Sequence, residues 1–444
     1  NAVEEKKEVI CRAADQIWEY AELSLQEEKS AAYYCRVLRE EGFLVEEGIC
    51  NIPTAFAASF GTGSPRIGIL AEYDALSGLS QEAGCTEPRE HIPGGCGHGC
   101  GHNLLGAGAM AAAIGIKAYL EKSKKPGTVI LYGCPGEEGG AAKAFMARDG
   151  LWKSLDAALT WHPEDVNEVN TGSSNSCIQT QYKFSGVASH AAGAPEKGRS
   201  ALDAVELMNI GVQFLREHTS DKARIHYAIT DTGGVSPNVV QPKASVLYMV
   251  RSNHVAEAVE LQERVDRIAQ GAALMTDTKV EKKFIDGLAD TVPNSVLEQV
   301  LYDNFKELGV PSYTQEELEF ADALAGTYAG SDGVPGVAAE YDAAAKEEVQ
   351  AMQKKAGHAM NAFLAPLYKG EAFTPGSTDV GDVSWLTPTA QIHVAAWPNG
   401  CPGHSWQNVS SGGTSLGHKA AVHAGKLLAA AAVVLFEKPE LLDP

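Results

Sequence analysis

The stretch 95–103 holds the densest group of possible metal ligands in the chain. It reads Gly-Cys-Gly-His-Gly-Cys-Gly-His-Asn, and its Cys and His residues are Cys96, His98, Cys100 and His102. Cys and His are ligands that zinc and similar metals prefer, and glycine lets the backbone fold closely around an ion. A structural zinc site built from these four residues is one interpretation, and a glycine-rich turn without metal is another. Structural zinc sites normally separate their ligand pairs by a longer loop, which favours a site completed by distant residues.

Further possible ligands follow two predicted strands. Glu137 and Glu138 come directly after strand 128–133, and His162 ends strand 156–161. Taken alone, the Glu pair could be the acidic first turn of a helix, and a single His at a strand end is often structural. Because the carboxyl ends of parallel strands meet at one edge of a sheet, we expect these groups to converge there. Several ligands beside one free carboxylate are typical of a metallohydrolase.

Two other residues are weaker candidates. Asp74 closes a third predicted strand, 66–73, where it is either a carboxylate that orients a metal-bound histidine or a turn residue. His404 lies in a Gly/Pro-rich loop before the last helix, and by itself this position is only suggestive.

The order of elements predicts an α/β fold with a mixed, mainly parallel sheet flanked by helices. The predicted helices are 3–41 and 103–122, and the predicted strands are 55–60, 66–73, 128–133 and 156–161. Segment 176–290 has a different, β-α-β-β-α-β order, which is typical of a small split βαβ sandwich. We therefore predict a discontinuous catalytic metal-binding domain, 1–176 and 294–444, with an inserted α+β domain at 177–293.

Charge and composition exclude several classes of partner. The 444 residues include 36 Lys and Arg against 57 Asp and Glu, for a net charge of −21. Nucleic acids and anionic membranes repel such a chain, so we expect neither as a partner. The apolar stretches 104–116 and 427–436 are shorter than the roughly 20 residues of a membrane span and predict buried helices. The nine cysteines are an odd, scattered set rather than a disulfide framework, and we expect a reducing cytoplasm.

The metal loop resembles the signature of an enzyme family. Residues 98–102, His-Gly-Cys-Gly-His, resemble the His-x-Cys-Gly-His signature in the aminoacylase branch of the metallopeptidase family that contains carboxypeptidase G, aminoacylases and plant auxin-conjugate hydrolases. Asn103 stands where Asp is more usual. The resemblance covers nearly the whole chain, and the segments 376–385 and 404–407 are similar to those of the p-aminobenzoyl-glutamate hydrolase group within this family.

The resemblance implies two divalent metal ions, zinc or manganese or else cobalt. The implied metal ligands are Cys100, His102, Glu138, His162 and His404. Glu137 would then be the general base. His98 opens the motif but is not usually a ligand, so we expect it, like Asp74, to support the ligands from behind.

The resemblance also assigns roles within the inserted domain, as a lid and dimerisation domain. Residues 185–192 match the family's lid motif, whose His190 would reach the site of a partner protomer in a homodimer and stabilise the oxyanion. Segment 233–240 and Arg251 resemble the region that recognises a substrate carboxylate, with Asn238 and Arg251 as the binding residues. Structural roles for all three residues stay open.

The expected reaction is hydrolysis of the amide bond of an N-acyl amino acid, such as p-aminobenzoyl-glutamate, by metal-activated water with Glu137 as base. An aromatic-amine deaminase and a dipeptidase are alternatives on the same scaffold. A catalytically inactive binding protein is a further alternative, although the complete set of ligands argues against it. Residues 80–93, next to the metal loop, could be a lid or a specificity loop.

Overall fold

The chain folds into two compact units in a computed structural model that describes residues 1–442. The first unit comprises Asn1–Gly172, Val292–Ala372 and the chain from Val383 onward, and the second comprises Ser173–Thr291 and Phe373–Asp382. The domain prediction was 1–176 with 294–444, and 177–293, which would place 373–382 in the first unit. It belongs to the second because Phe373–Thr374 pairs in parallel with Ser173–Ser174.

The strands of the described residues vary widely in length. They are β1 Leu44–Glu47, β2 Phe56–Thr62, β3 Arg66–Ala71, β4 Gly127–Gly133, β5 Ala157–Glu164, β6 Glu168–Asn170, β7 Ser173–Ser174, β8 Ser176–Ser185, β9 Ser189–His190, β10 Arg224–Asp231, β11 Val239–Val240, β12 Lys243–Ser252, β13 Lys279–Leu288, β14 Phe373–Thr374 and β15 Thr389–Ala395.

The α-helices include two of more than twenty residues in the first unit. They are α1 Ala2–Glu5, α2 Lys7–Tyr20, α3 Glu28–Glu40, α4 His102–Ser123, α5 Ala142–Arg148, α6 Ala201–Arg216, α7 Val255–Thr276, α8 Ser295–Leu308, α9 Gln315–Ala325, α10 Val337–Tyr341, α11 Ala343–Ala356, α12 Val380–Ser384, α13 Trp406–Gly412 and α14 Ser415–Glu437.

A seven-stranded sheet forms the centre of the first unit, in the order β1-β2-β4-β3-β5-β15-β6. Its four central strands, β4, β3, β5 and β15, run parallel, and the outer strands pair antiparallel. Every residue of β4 is buried, as expected for a strand covered on both faces by helices. The predicted mixed, mainly parallel sheet is therefore confirmed.

Helices α4 and α14 pack against each other in the core. Small residues allow the close approach, since a Cβ on Gly425 of α14 would lie 2.4 Å from the Cβ of Ala111 on α4. Both helices are longer than the predicted apolar stretches, and by length and composition each could cross a membrane. However, 78% and 72% of their most apolar windows are buried inside the protein, as in core helices.

Two predicted elements end differently. The helix expected over 3–41 is broken into α1, α2 and α3. Lys6, with φ of −102° and ψ of 9°, separates α1 from α2, and Ala21 and Leu25, with left-handed φ of 41° and 62°, separate α2 from α3. Strand β5 continues past His162 to Glu164, because it pairs with β15 as far as Ala395.

The second unit is a four-stranded antiparallel sheet, in the order β10-β12-β8-β13. Helices α6 and α7 pack on it and bury a core that includes Tyr182, Val246 and Tyr248. The chain order β8-α6-β10-β12-α7-β13 is the predicted split βαβ order.

Candidate metal centre

The loop that carries Cys100 and His102 depends on its glycines. Gly101 caps α4 with φ of 72°, and a Cβ there would lie 2.6 Å from Pro163. A Cβ on Gly99 would lie 2.5 Å from Leu79 and 3.3 Å from the Cα of His404. These contacts show why side chains are excluded between the ligands, and they place the metal loop against the loop of His404.

Asp74 orients His102. Its Oδ1 lies 2.8 Å from Nδ1 of the buried His102, while its Oδ2 accepts hydrogen bonds from Ser24 Oγ at 2.7 Å and Glu138 N at 2.9 Å. Burial alone would raise the pKa of Asp74, but these hydrogen bonds and the His102 ring lower it to about 2. These hydrogen bonds are the ones that the expected supporting role of Asp74 requires. They leave Nε2 of His102 available as a ligand.

Nε2 is also the available ligand atom of His162. Its Nδ1 lies 2.8 Å from the carbonyl oxygen of Pro163, and its Nε2 lies 3.4 Å from the Cys100 sulfur. Burial opposes ionisation of the Cys100 thiol, yet His162 and His102 hold its pKa well below the ordinary value. The two imidazole rings therefore favour the thiolate form of Cys100.

Glu138 and His404 complete a second group of donors around Cys100. Oε1 of Glu138 lies 3.5 Å from Nε2 of His404. Burial and the neighbouring Cys100 raise the pKa of Glu138 to about 8, against the opposing effect of the His102 and His404 rings. His404 is more exposed and has a left-handed backbone, with φ of 54°.

Two groups of donor atoms thus share one thiolate. Cys100, His102 and His162 form one group, and Cys100, Glu138 and His404 form the other, with all donor atoms of a group within 4.8 Å of one another. Nε2 of His102 and Oε1 of Glu138 are buried and make no hydrogen bond of good geometry among residues 1–442, although Glu72 Oε2 lies 3.2 Å from the first and His404 Nε2 lies 3.5 Å from the second. Orphaned polar atoms are costly unless an ion satisfies them, and the N, O and S donors suit a divalent transition metal. The residues fit a metal centre.

Glu137 lies beside these donors in a third group, with Glu72 and His102. The turn that carries it is held by Glu27, whose Oε1 accepts a hydrogen bond of 2.8 Å from Gly136 N. None of the donor groups found among the described residues contains both Glu137 and Cys100. The role of Glu137 as a free carboxylate stays a prediction.

His98 and Cys96 belong to none of the donor groups found within residues 1–442. His98 is buried, its Nε2 lies 2.9 Å from the carbonyl oxygen of Ile17, and burial lowers its pKa to about 4. A neutral His98 ties the metal loop to α2. This arrangement disfavours the four-ligand structural zinc site.

Residues 80–93 pack on α13. The carbonyl oxygen of Cys85 accepts a hydrogen bond of 2.6 Å from Ser410 Oγ, and Gly84 N donates to the carbonyl oxygen of Ser410 at 3.0 Å. A role of this loop in specificity stays a prediction.

His190 and Asn238 lie together in the second unit. The short strands β9 and β11 pair His190 with Val239, and Ala191 N donates to the carbonyl oxygen of Asn238. Nδ1 of His190 accepts hydrogen bonds from Ala192 N and Gly193 N, so a neutral ring carries its proton on Nε2, where it can be donated.

Arg251 lies elsewhere in the second unit, on β12. Its guanidinium donates to Ser377 Oγ at 2.8 Å and contacts the sulfur of Met249. Binding roles for Arg251, Asn238 and His190 stay predictions.

Sequence reasoning missed four contributors: the buried Glu27, Glu72 and Lys143, and the half-buried Ser24. One signal was available for Glu72, because side chains alternate along a strand and Glu72 and Asp74 therefore share a side. The others reach the site only through long-range contacts.

Comparisons with known proteins identify the family of this chain. The profile of the peptidase family M20/M25/M40 matches residues 68–396. The chain is 45% identical over 446 residues to the B-type component of the p-aminobenzoyl-glutamate hydrolase of Escherichia coli K12, a match that covers 100% of this chain and 92% of the relative. It is also 28% identical over 329 residues to the Xaa-Arg dipeptidase of Mus musculus, covering 71% and 72% of the two chains.

Solved structures share the fold. A putative aminohydrolase from methicillin-resistant Staphylococcus aureus superposes with a TM-score of 0.66 at 15% identity, covering 98% of this chain and 97% of that one. A dinuclear metal-binding peptidase of the M20 family from Bacillus subtilis has a TM-score of 0.60 at 18% identity, covering 98% and 99%. The chain therefore belongs to peptidase family M20/M25/M40 and is a hydrolase that acts on amide bonds.

Proposed function

We propose that this metal-dependent amidohydrolase cleaves the amide bond of an N-acyl amino acid with an aromatic acyl group, such as p-aminobenzoyl-glutamate. The observation that carries the proposal is the pair of donor groups sharing Cys100, with Glu137 beside them. The substrate class is supported by the 45% identity, over the whole chain, to a component of a p-aminobenzoyl-glutamate hydrolase.

Two divalent ions suit this arrangement. Cys100, His102 and His162 would hold one, and Cys100, Glu138 and His404 the other, with Cys100 between them. When bound, such ions polarise a carbonyl oxygen and make water a stronger acid. Zinc, manganese and cobalt all accept mixed N, O and S donors.

Glu137 would act as the general base. Its carboxylate takes the proton of the attacking water and returns it to the nitrogen of the departing amine, which balances the hydrolysis of the carbon–nitrogen bond. A positioned base of this kind contributes roughly 10²- to 10⁴-fold to the rate.

His190 of one protomer would serve the metal site of its partner, and two further residues would bind the substrate carboxylate. A proton on Nε2 of His190 can be donated to the oxygen of the tetrahedral carbon, and loss of one such donor commonly costs about 10²- to 10³-fold in rate. Arg251 and Asn238 would bind the substrate carboxylate through charge-assisted hydrogen bonds.

We further propose a homodimer formed through the second unit. Large apolar side chains lie exposed there, among them Phe214 on α6 at 73% and Leu274 on α7 at 84% exposure. Exposed apolar groups of this size often mark an interface. Light scattering should give twice the mass of one chain, and Phe214→Asp should shift the mass to that of one chain. A wild-type monomer would contradict this proposal.

A substrate screen tests the proposed activity. Purified protein would be analysed for metals, reconstituted separately with zinc, manganese and cobalt, and assayed on p-aminobenzoyl-glutamate, p-aminobenzoyl-aspartate, other N-acyl amino acids and dipeptides. We expect the highest kcat/KM on an aryl amide, with release of the free amino acid. A preference for dipeptides that end in Arg would favour the activity named for the mouse relative. Ammonia released without amino acid would indicate a deaminase, and no turnover by metal-loaded protein would indicate an inactive binding protein.

A further inference from the structure

Lys143 and Glu72 form a buried ion pair next to the metal centre. The Lys143 Nζ lies 2.6 Å from Oε1 of Glu72, and both side chains are almost completely inaccessible to solvent. Taking two charges out of water costs free energy that their attraction often fails to recover, so such a pair is weak support for the fold. A role at the neighbouring site explains its presence better.

The pair closes a loop that carries two site residues. The loop between β4 and α5 contains Glu137 and Glu138, and it begins where Cys134 N donates to the carbonyl oxygen of Ala71 at 2.8 Å. It ends at the first turn of α5, where Lys143 binds Glu72. Both ends of the loop are therefore fastened to two consecutive residues, Ala71 and Glu72, at the end of β3.

Glu72 also faces the reacting groups. Its Oε2 lies 3.2 Å from Nε2 of His102, and the donor atoms of Glu72, His102 and Glu137 lie within 4.8 Å of one another. Lys143 holds the Glu72 carboxylate from its other oxygen. Without that cation, the carboxylate would turn toward the remaining positive groups, which are the His102 ring and any ion bound to it.

We infer that Lys143, acting through Glu72, is a positioning residue that fixes Glu137 and His102 in their reactive arrangement, and that Glu72 is not a metal ligand. This inference rests on the proposed function, since it concerns the same site. Neither side chain needs to touch the substrate. Lys143 would act in two ways: its contact with Glu72 anchors the loop that carries Glu137, and its positive charge keeps the Glu72 carboxylate in place.

The test uses Lys143→Met, Glu72→Gln and the double variant in the full-length, metal-loaded protein, with the exposed Lys153→Met as control. Met replaces Lys143 with a side chain of similar length, and Gln keeps the shape of Glu72. Each variant is assayed on the substrate that the wild type hydrolyses best, and its metal content is measured by elemental analysis. We expect each single variant to keep the wild-type metal content and a KM within about twofold, while kcat falls by about 10²-fold, the cost typical of a misplaced catalytic group. Because the residues act as one unit, the double variant should be no slower than the slower single variant.

Other results would overturn the inference. A kcat within about twofold of wild type would show that the pair does not position the site. A loss of metal from Glu72→Gln but not from Lys143→Met would identify Glu72 as a ligand, and additive losses of kcat in the double variant would show independent roles. If Lys143→Met fails to fold, Glu72→Gln decides alone through its kcat and metal content. A wild type that prefers dipeptides would contradict the proposed substrate and leave these comparisons intact.

Discussion

Asp74 Oδ1 lies 2.8 Å from His102 Nδ1, and both side chains are buried at the end of β3 and the start of α4. The same carboxylate accepts the backbone N–H of Glu138. One residue therefore orients members of both donor groups that share Cys100.

Replacing Asp74 with Ala should weaken metal binding. The His102 ring would lose its orienting partner and the Glu138 backbone its acceptor, and loss of such a support typically costs about 10- to 100-fold in metal affinity. Competition with a chromophoric chelator would measure the dissociation constant. An affinity equal to that of the wild type would show that Asp74 does not orient the ligands.

Cys100 should be needed for both ions. In Cys100→Ala each donor group loses its common thiolate, so we expect the metal content to fall from about two ions per chain to about one or fewer. Cys96→Ala is the matched control from the same loop, and it should keep its metal. Equal metal contents in the two variants would exclude Cys100 as a shared ligand.

Gly101 should not tolerate a side chain. Ala there would meet Pro163 at 2.6 Å in a left-handed conformation that costs roughly 1–2 kcal/mol for an ordinary residue. We expect Gly101→Ala to lower both the metal content and the thermal midpoint of unfolding. Gly139→Ala is the control, because a Cβ there would lie an ordinary 3.5 Å from its nearest neighbour, Ser24 Oγ. This variant should behave like the wild type.

Glu27 should make stability depend on pH. Burial, together with the charge of Asp74, raises the pKa of this carboxyl to about 7 from 4.5. The folded state therefore binds a proton that the unfolded state releases, and the associated stability is full below about pH 4.5 and is lost as pH rises through 7. The expected loss is on the order of 3 kcal/mol.

Glu27→Gln isolates this contribution, because Gln mimics the protonated acid at every pH. Urea unfolding of both proteins at pH 5 and pH 8 should show the wild type losing stability relative to the variant at the higher pH. A difference between the two proteins that does not change with pH would contradict the assignment.

Much of the site could be predicted because its ligands follow strands. Glu138 follows β4, His162 lies near the end of β5, and Cys100 lies two residues before α4, so topology brings these positions to one edge of the sheet. His404 needed the family resemblance, since a Gly/Pro loop carries no periodic signal. The roles of these residues as metal ligands stay predictions.

The supporting residues could not be predicted in this way. Glu27 and Lys143 contact the site through pairings that depend on the folded chain, and a lone Lys near a helix start has the same pattern as a solvent-exposed one. The break in the predicted helix 3–41 has the same origin, because segment 21–27 lies over the metal loops through Ser24 and Glu27. Segment 373–382 joins the second unit through a strand pairing of only two residues, which leaves no periodic pattern in the sequence.

Glu137→Gln tests the central claim most directly. The variant removes the base but keeps the shape of the side chain, so we expect the wild-type metal content by elemental analysis and a kcat at least about 10³-fold lower on the best aryl amide. Retention of the metal separates loss of the base from collapse of the site. Turnover at the wild-type rate by a fully metal-loaded Glu137→Gln protein would contradict the account.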